Sequence, residues 1–149
     1  MRFCSSRNPK DFAVRENGTL PAARYYPMKS LRLALLEIFE ETGLIVENTE
    51  QIGLLHFYKN SQRENPDWIV HAFLACQSIG VPIDGREGRL KRFKIDALPF
   101  DEMWQDDQYW CRLALEGTRL EGWFYFSGDF ENLIDHRIEV KPPPNQIEV

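Results

Sequence analysis

Three glutamates that lie close together in the chain could perform metal-ion chemistry. Glu37, Glu40 and Glu41 are three and four residues apart, a spacing that places them on one face of a helix. Like charges this close repel one another, so a counter-charge is needed to offset the cost. A hard divalent cation such as Mg²⁺ prefers oxygen ligands and binds carboxylates together with phosphates. The alternative is an ordinary solvated acidic face of a helix.

A second group of residues could recognise a purine base. Trp104 is followed closely by the adjacent acids Asp106 and Asp107. A tryptophan face provides stacking worth about 1–3 kcal/mol per base. Two neighbouring carboxyl groups that share a proton present both a donor and acceptors to a purine edge. The alternative is that the aspartates cap the helix that follows, while Trp104 packs in the core.

Helices and strands that would position these residues can be predicted from the sequence. A helix is expected from the N-cap residue Ser30 to about Thr42, with Gly43 in the position after its end. A second helix is expected over Asp107–Leu115, closed by Gly117. Runs rich in apolar and aromatic residues predict strands at Gln51–Tyr58, Trp68–Cys76, Arg89–Ile95, Trp123–Phe126 and Leu133–Val140. The first two strands flank a polar turn and are expected to form a hairpin. This mixture without repeats indicates an α+β fold.

The two ends of the chain differ from its middle. Residues 1–28 mix charges, prolines and Asn-Gly without a sustained period, so no strand is predicted there and the segment is expected to be divergent or poorly ordered. Residues 29–140 are predicted to form the folded domain. Residues 141–149 contain consecutive prolines, which cannot continue a strand ladder, and are predicted to be a tail.

Composition excludes several classes of protein. With 149 residues, 43% hydrophobic and 28% charged, the chain is expected to be one soluble globular domain and a monomer. It has neither an apolar run of about 18 residues nor a secretory signal, so no membrane partner is expected. A net charge of −5 argues against a nucleic acid polymer as partner. Cys4, Cys76 and Cys111 lack C-x-x-C spacing, which favours reduced thiols and a cytoplasmic location.

The segment that carries the glutamates resembles the second half of the Nudix box, G-x5-E-x7-R-E-U-x-E-E-x-G-U, where U is aliphatic. The residues that match its metal-binding end are Glu37, Glu40, Glu41, Gly43 and Leu44. The first half of the box departs from the pattern, because Ala22, Met28 and Leu36 stand where the family has Gly, Glu and Arg. In the family that arginine orients a box glutamate, and outer-shell losses of this kind cost about 10–100-fold in metal affinity or activity.

The segment 99–110 resembles, nearly residue for residue, the Nudix branch that hydrolyses oxidised purine nucleoside triphosphates. In that branch a tryptophan stacks on the base and two adjacent aspartates bind its edge, which corresponds to Trp104, Asp106 and Asp107 here. The resemblance covers roughly residues 36 to 140. Phe57 and Trp68 are candidates for lining the base pocket, with core packing as the alternative.

The resemblance implies a Nudix-type α/β/α sandwich with a mixed β-sheet, missing or diverged at its N-terminal strands. It implies Mg²⁺-dependent hydrolysis of a nucleoside triphosphate to monophosphate and pyrophosphate, with Glu37, Glu40 and Glu41 as catalytic and metal-binding residues. Glu87 is a candidate fourth ligand, with an ordinary loop acid as the alternative. Two other hypotheses stay open: a catalytically weak or inactive nucleotide-binding protein on the same fold, and a truncated gene product.

Overall fold

The computed structural model describes residues 2–4, 11–15, 31–83 and 90–143. The α-helices in these ranges are α1 (Leu31–Thr42) and α2 (Asp107–Leu115). The strands are β1 (Arg2–Cys4), β2 (Asp11–Arg15), β3 (Ile45–Tyr58), β4 (Trp68–Ile79), β5 (Leu90–Lys94), β6 (Leu120–Ser127) and β7 (Asn132–Val140). Short 3₁₀ turns at Ile95–Ala97 and Phe100–Glu102 connect β5 to α2. No helix in the described ranges is long and apolar enough to cross a membrane.

Within the described ranges, β1, β4, β3, β6 and β7 form one mixed sheet in that order. The hairpin β3–β4 and the pair β6–β7 are antiparallel, whereas β3–β6 and β1–β4 are parallel. The strands β2 and β5 form a separate antiparallel pair. Because β3 and β6 run in the same direction, the loops that follow them leave the sheet at the same end.

The helices α1 and α2 cover opposite faces of the mixed sheet. Leu74 and Ala75 are neighbours on β4, so their side chains point to opposite faces. Ala75 packs with Ile38 of α1. Leu74 packs against the larger cluster that contains Trp110 and Cys111 of α2. The predicted α/β/α sandwich with a mixed sheet is therefore confirmed.

The end of α1 is fixed by local hydrogen bonds. Gly43 adopts a φ of +70°, and its N–H donates to the carbonyl of Phe39 at 2.7 Å. The Thr42 hydroxyl donates to the carbonyl of Ile38 at 2.6 Å and accepts the N–H of Leu44 at 3.1 Å. These bonds satisfy groups that a helix end otherwise leaves without partners. The role predicted for Gly43 is confirmed; the predicted N-cap, Ser30, lies outside the described residues.

The observed strands are longer than the sequence predicts where their residues are polar. The hairpin predicted at Gln51–Tyr58 and Trp68–Cys76 is present, but β3 begins at Ile45 and β4 continues to Ile79. The added part of β3 includes exposed polar residues such as Glu47 and Asn48. Main-chain hydrogen bonds to β4 hold this part of the strand, and such bonds require no apolar side chain.

Two strands lie in the N-terminal segment, where the sequence predicted none and the resemblance implied missing or diverged strands. The strand β1 pairs in parallel with β4, with Arg2 opposite Ala72 and Cys4 opposite Leu74. The strand β2 pairs with β5. Strands of three and five residues are too short to give a clear alternating pattern, and they form on edges that other strands supply. The predicted tail from residue 144 onward lies outside the described residues.

The core beneath α2 leaves no room beside Gly122. Phe124 and Leu55 have no exposed surface, and a Cβ added at Gly122 would lie 2.7 Å from Phe124 Cε2 and 3.2 Å from Leu55 Cδ2. We expect Gly122→Ala to lower the free energy of unfolding by about 1–3 kcal/mol, measured by urea denaturation. The cost should shrink in a Phe124→Leu background, where the clashing ring atoms are gone. Wild-type stability for Gly122→Ala would contradict this account of the core.

Candidate functional site

Three connecting segments meet at the end of the sheet where β3 and β6 finish. They are the β3–β4 loop (residues 59–67), the β6–β7 turn (residues 128–131) and the segment before α2 (residues 99–106). The N–H groups of Asn60 and Ser61 donate to the carbonyls of Gly128 and Phe126, at 2.8 and 2.9 Å. These bonds join the loop to the turn.

The β3–β4 loop is held by its own polar side chains. Asp67 Oδ2 accepts the N–H of Lys59 at 2.9 Å and the Gln62 side-chain amide at 3.0 Å. The hydrogen bond from the Lys59 main chain, followed by that from Gln62, lowers the pKa of Asp67. The loop is therefore a defined turn, in agreement with the predicted hairpin connection.

Trp104 lies at the surface of this end of the molecule. Its side chain is 44% exposed. Its main-chain N–H donates to Asp107 Oδ2 at 3.2 Å, and its carbonyl accepts the Asp107 N–H at 3.0 Å. The alternative that Trp104 packs in the core is therefore wrong. Its main chain is held while its indole remains available for stacking.

Asp106 and Asp107 are both fully buried. Asp106 is the N-cap residue of α2, but its side chain makes no capping hydrogen bond; Oδ2 accepts the indole N–H of Trp110 at 3.0 Å instead. Burial of two adjacent carboxyl groups is costly, and ionisable groups in such surroundings cluster at functional sites. Helix capping alone does not account for the Asp106 side chain.

The bond between Asp106 and Trp110 is expected to contribute measurably to stability. Asp106→Ala removes the acceptor of the hydrogen bond from the buried Trp110 indole N–H. We expect the free energy of unfolding to fall by about 1–3 kcal/mol. Trp110→Phe removes the donor but keeps an aromatic ring. Urea denaturation of the two single variants and the double variant should show that Asp106→Ala costs less when residue 110 is phenylalanine. If the losses of the two single variants add up to that of the double variant, this hydrogen bond does not contribute to the free energy of unfolding.

Aromatic rings continue from this end of the sheet into the core. Trp68 stacks on Phe130 with ring centroids 4.3 Å apart, and Phe130 meets the edge of Phe126 at 5.6 Å. Phe126 lies 6.3 Å from Phe57. Trp68 is 37% exposed, whereas Phe57 is 5% exposed. Of the two candidates for lining the base pocket, Trp68 reaches the surface and Phe57 is packed in the core.

The predicted metal-binding glutamates lie on the other face of the sheet, at the C-terminal half of α1. Glu37 and Glu41 are half-buried and Glu40 is exposed, while Ile38 between them packs on the sheet. Their oxygen chemistry fits a hard divalent cation. Among the residues that the structure describes, however, no group of three or more His, Cys, Asp or Glu side chains is gathered closely enough to hold a metal ion. Glu87 lies outside the described residues.

Two residues at the site were not found from the sequence. The side chain of Gln105 forms hydrogen bonds with the main chain of Glu131 and Leu133, which lie 26 and 28 positions further along the chain. No local sequence pattern indicates this contact. Phe130 adopts a φ of +60°, which is uncommon for a bulky residue. An aromatic residue within a polar turn was the available signal for Phe130.

The fold is that of a solved Nudix-type protein. The MutT protein from Bacillus halodurans superimposes on this chain with a TM-score of 0.76 and 22% sequence identity, over 95% of this chain and 97% of that one. The Nudix-type fold predicted from the resemblance is therefore confirmed.

The sequence is similar to that of two proteins named oxidized purine nucleoside triphosphate hydrolase. The chain is 36% identical over 103 residues to the oxidized purine nucleoside triphosphate hydrolase of Danio rerio, which is 69% of this chain and 64% of that protein. It is 36% identical over 90 residues to the Mus musculus protein of the same name, 60% of this chain and 56% of that protein. The matches thus span less than two thirds of these relatives. No family model matches the chain. The predicted resemblance to this Nudix branch is confirmed.

Proposed function

We propose that the protein hydrolyses oxidised purine nucleoside triphosphates to the monophosphate and pyrophosphate. One observation carries the proposal: an exposed tryptophan, Trp104, is joined by hydrogen bonds to one of two adjacent, fully buried aspartates. The similarity to proteins named oxidized purine nucleoside triphosphate hydrolase supports the same substrate class.

Asp106 and Asp107 would select the oxidised base by its edge. Oxidation at C8 of guanine turns N7 from a hydrogen-bond acceptor into a donor, and a carboxylate accepts that hydrogen. A protonated carboxyl group beside it donates to a neighbouring acceptor on the base. Both side chains are fully buried, so the base would reach their oxygens only where the cover over them opens. Hydrogen bonds formed in such a low-dielectric setting are stronger than in water. Trp104 would supply stacking for either purine.

The glutamates of α1 would serve the triphosphate. Glu37, Glu40 and Glu41, together with Glu87, would hold Mg²⁺, and a bound Mg²⁺ polarises phosphoryl oxygens and balances their charge. The net charge of the chain is −5, which repels a triphosphate, and a cation held by these carboxylates would reduce that repulsion. One of these glutamates would accept the proton of the attacking water. The role would be sanitation of an intracellular nucleotide pool by a monomer.

A second candidate function is nucleotide binding without turnover. The observation that favours it is Leu36, which is 50% exposed and stands where the Nudix box has the arginine that orients a glutamate. Under this hypothesis Trp104, Asp106 and Asp107 bind the base, but the carboxylates of α1 support no hydrolysis.

Pyrophosphate release separates the two candidates. The purified protein is mixed with Mg²⁺ and either 8-oxo-dGTP or dGTP. Faster release from the oxidised nucleotide, abolished by a chelator, is the expected result. Binding of 8-oxo-dGMP without release from the triphosphate would favour the second candidate. Neither binding nor release, from protein with a sharp thermal unfolding transition, would reject both candidates.

A further inference from the structure

The side chain of Gln105 ties the segment that carries Trp104 to the β6–β7 turn. Its amide nitrogen donates to the carbonyl of Glu131 at 3.0 Å. Its amide oxygen accepts the N–H of Leu133 at 2.8 Å. Both ends of one side-chain amide are therefore used on main-chain atoms, one in the β6–β7 turn and one at the start of β7, which fixes the position as well as the direction of the side chain.

The β6–β7 turn, to which Gln105 is hydrogen-bonded, also contacts other parts of the site. Gly128 accepts a hydrogen bond from Asn60 of the β3–β4 loop. Phe130 stacks on Trp68 and meets the edge of Phe126. Through the turn, Gln105 thus connects the segment of Trp104 to the part of the molecule that carries Trp68.

The attachment of this segment matters because Trp104, Asp106 and Asp107 follow one another within four residues. Asp107 accepts the main-chain N–H of Trp104, and Asp106 accepts the indole N–H of Trp110 of α2. Gln105, which lies between Trp104 and Asp106, contributes a contact from this segment to the β6–β7 turn.

We propose that Gln105 is a positioning residue for base recognition, acting by holding the Trp104 segment against the β6–β7 turn. This inference rests on the proposed function, since it assumes that Trp104 and the aspartate pair receive the base. Gln105 takes no part in the chemistry at phosphorus. Its loss therefore affects binding of the base and leaves the rate of the bound complex largely unchanged.

The test compares three variants of the full chain. Gln105→Leu removes both hydrogen bonds at similar size. Gln105→Glu keeps an acceptor for the Leu133 N–H and loses the donor to Glu131. Gln77→Leu is the matched control, because Gln77 is also an exposed glutamine with a cross-strand bond, from Asn48 at 2.8 Å, but lies near the far end of β4.

Two readouts are needed. The first is the Kd of 8-oxo-dGMP, with KM and kcat for 8-oxo-dGTP. Gln105→Leu should raise Kd and KM about 10-fold, the effect of roughly one to two exposed hydrogen bonds, with kcat within about twofold. Gln105→Glu should fall between Gln105→Leu and the wild type. The second readout is the heteronuclear NOE of the Trp104 indole N–H in the free protein, assigned with Trp104→Phe. It should fall in Gln105→Leu and keep the wild-type value in Gln77→Leu.

The outcomes separate this inference from the function on which it rests. An unchanged indole NOE in Gln105→Leu, a Kd equal to or below that of the wild type, or a loss confined to kcat would overturn the positioning role. Equal losses in Gln77→Leu would also overturn it. If the wild type shows no preference for 8-oxo-dGMP over dGMP, the proposed base site fails, and the indole NOE alone decides whether Gln105 orders Trp104.

Discussion

Replacing Glu41 by glutamine is expected to lower kcat for 8-oxo-dGTP by at least about 100-fold, beyond the range that losses of outer-shell partners cause. The substitution keeps the size of the side chain and removes the charge that a hard cation requires. Glu41 lies in the last turn of α1 and is half-buried, so a change there acts on an ordered part of the helix. The measurement is steady-state pyrophosphate release at saturating Mg²⁺.

The same variant should leave the fold and the base site intact. Glutamine keeps the size of the side chain, so the variant should still show a single sharp thermal transition. The Kd for 8-oxo-dGMP should also stay, because Trp104 and the aspartates lie on the α2 side of the sheet. Glu47→Gln is the control, since Glu47 is exposed on β3 and has no proposed role. Full turnover by Glu41→Gln would count strongly against the carboxylates as the metal site.

Replacing Trp104 by alanine is expected to weaken binding of 8-oxo-dGMP by about 5- to 150-fold, the range that corresponds to loss of one stacking partner. The indole is 44% exposed, so its removal uncovers little core and should reduce stability only slightly. Trp104→Phe keeps a smaller ring and should recover part of the affinity. The measurement is the Kd by calorimetry, with the thermal transition recorded for each variant.

The matched control for Trp104 is another exposed aromatic residue near the same helix. Tyr109 is 39% exposed and stacks on His136 with ring centroids 3.8 Å apart. Tyr109→Ala should leave the Kd for 8-oxo-dGMP unchanged. If Tyr109→Ala weakens binding as much as Trp104→Ala, or if Trp104→Ala binds normally, Trp104 is not the stacking platform.

The elements predicted best from the sequence are those with clear end signals. The helix α2 occupies the predicted residues Asp107–Leu115, because acidic residues mark its start and Gly117 follows its end. The helix α1 ends at Thr42 as predicted, because Gly43 adopts the left-handed conformation. In both cases the deciding interactions lie within one helical turn, so a local pattern contains them.

Features that depend on distant partners could not be predicted. The polar start of β3 is a strand because β4 lies beside it, and β1 is a strand because it reaches the edge of β4. The hydrogen bonds of Gln105 reach Glu131 and Leu133, which are 26 and 28 positions away in the sequence. Neither propensity nor periodicity reports such contacts, because they are set by how the sheet is assembled.

The candidate site also contains features that the local sequence predicts and features that depend on distant residues. The motif around Trp104 predicted a base-stacking tryptophan beside two acids, with core packing as the alternative, and the structure places Trp104 at the surface with both acids buried. The spacing of Glu37, Glu40 and Glu41 predicted a shared helix face, which α1 provides. Three glutamates on one helix face do not by themselves form a cation site, since coordination needs ligands from other segments as well. The predicted further ligand, Glu87, lies outside the described residues.

The most direct test of the base site is a calorimetric comparison of 8-oxo-dGMP with dGMP on the wild-type protein. A monophosphate isolates recognition of the base from hydrolysis and from the charge of the triphosphate. We expect 8-oxo-dGMP to bind at least about 10-fold more tightly, a difference of about 1.4 kcal/mol or more, and the preference to be lost in Asp107→Ala. Equal Kd values for the two nucleotides would contradict the assignment of Trp104, Asp106 and Asp107 as an oxidised-purine site.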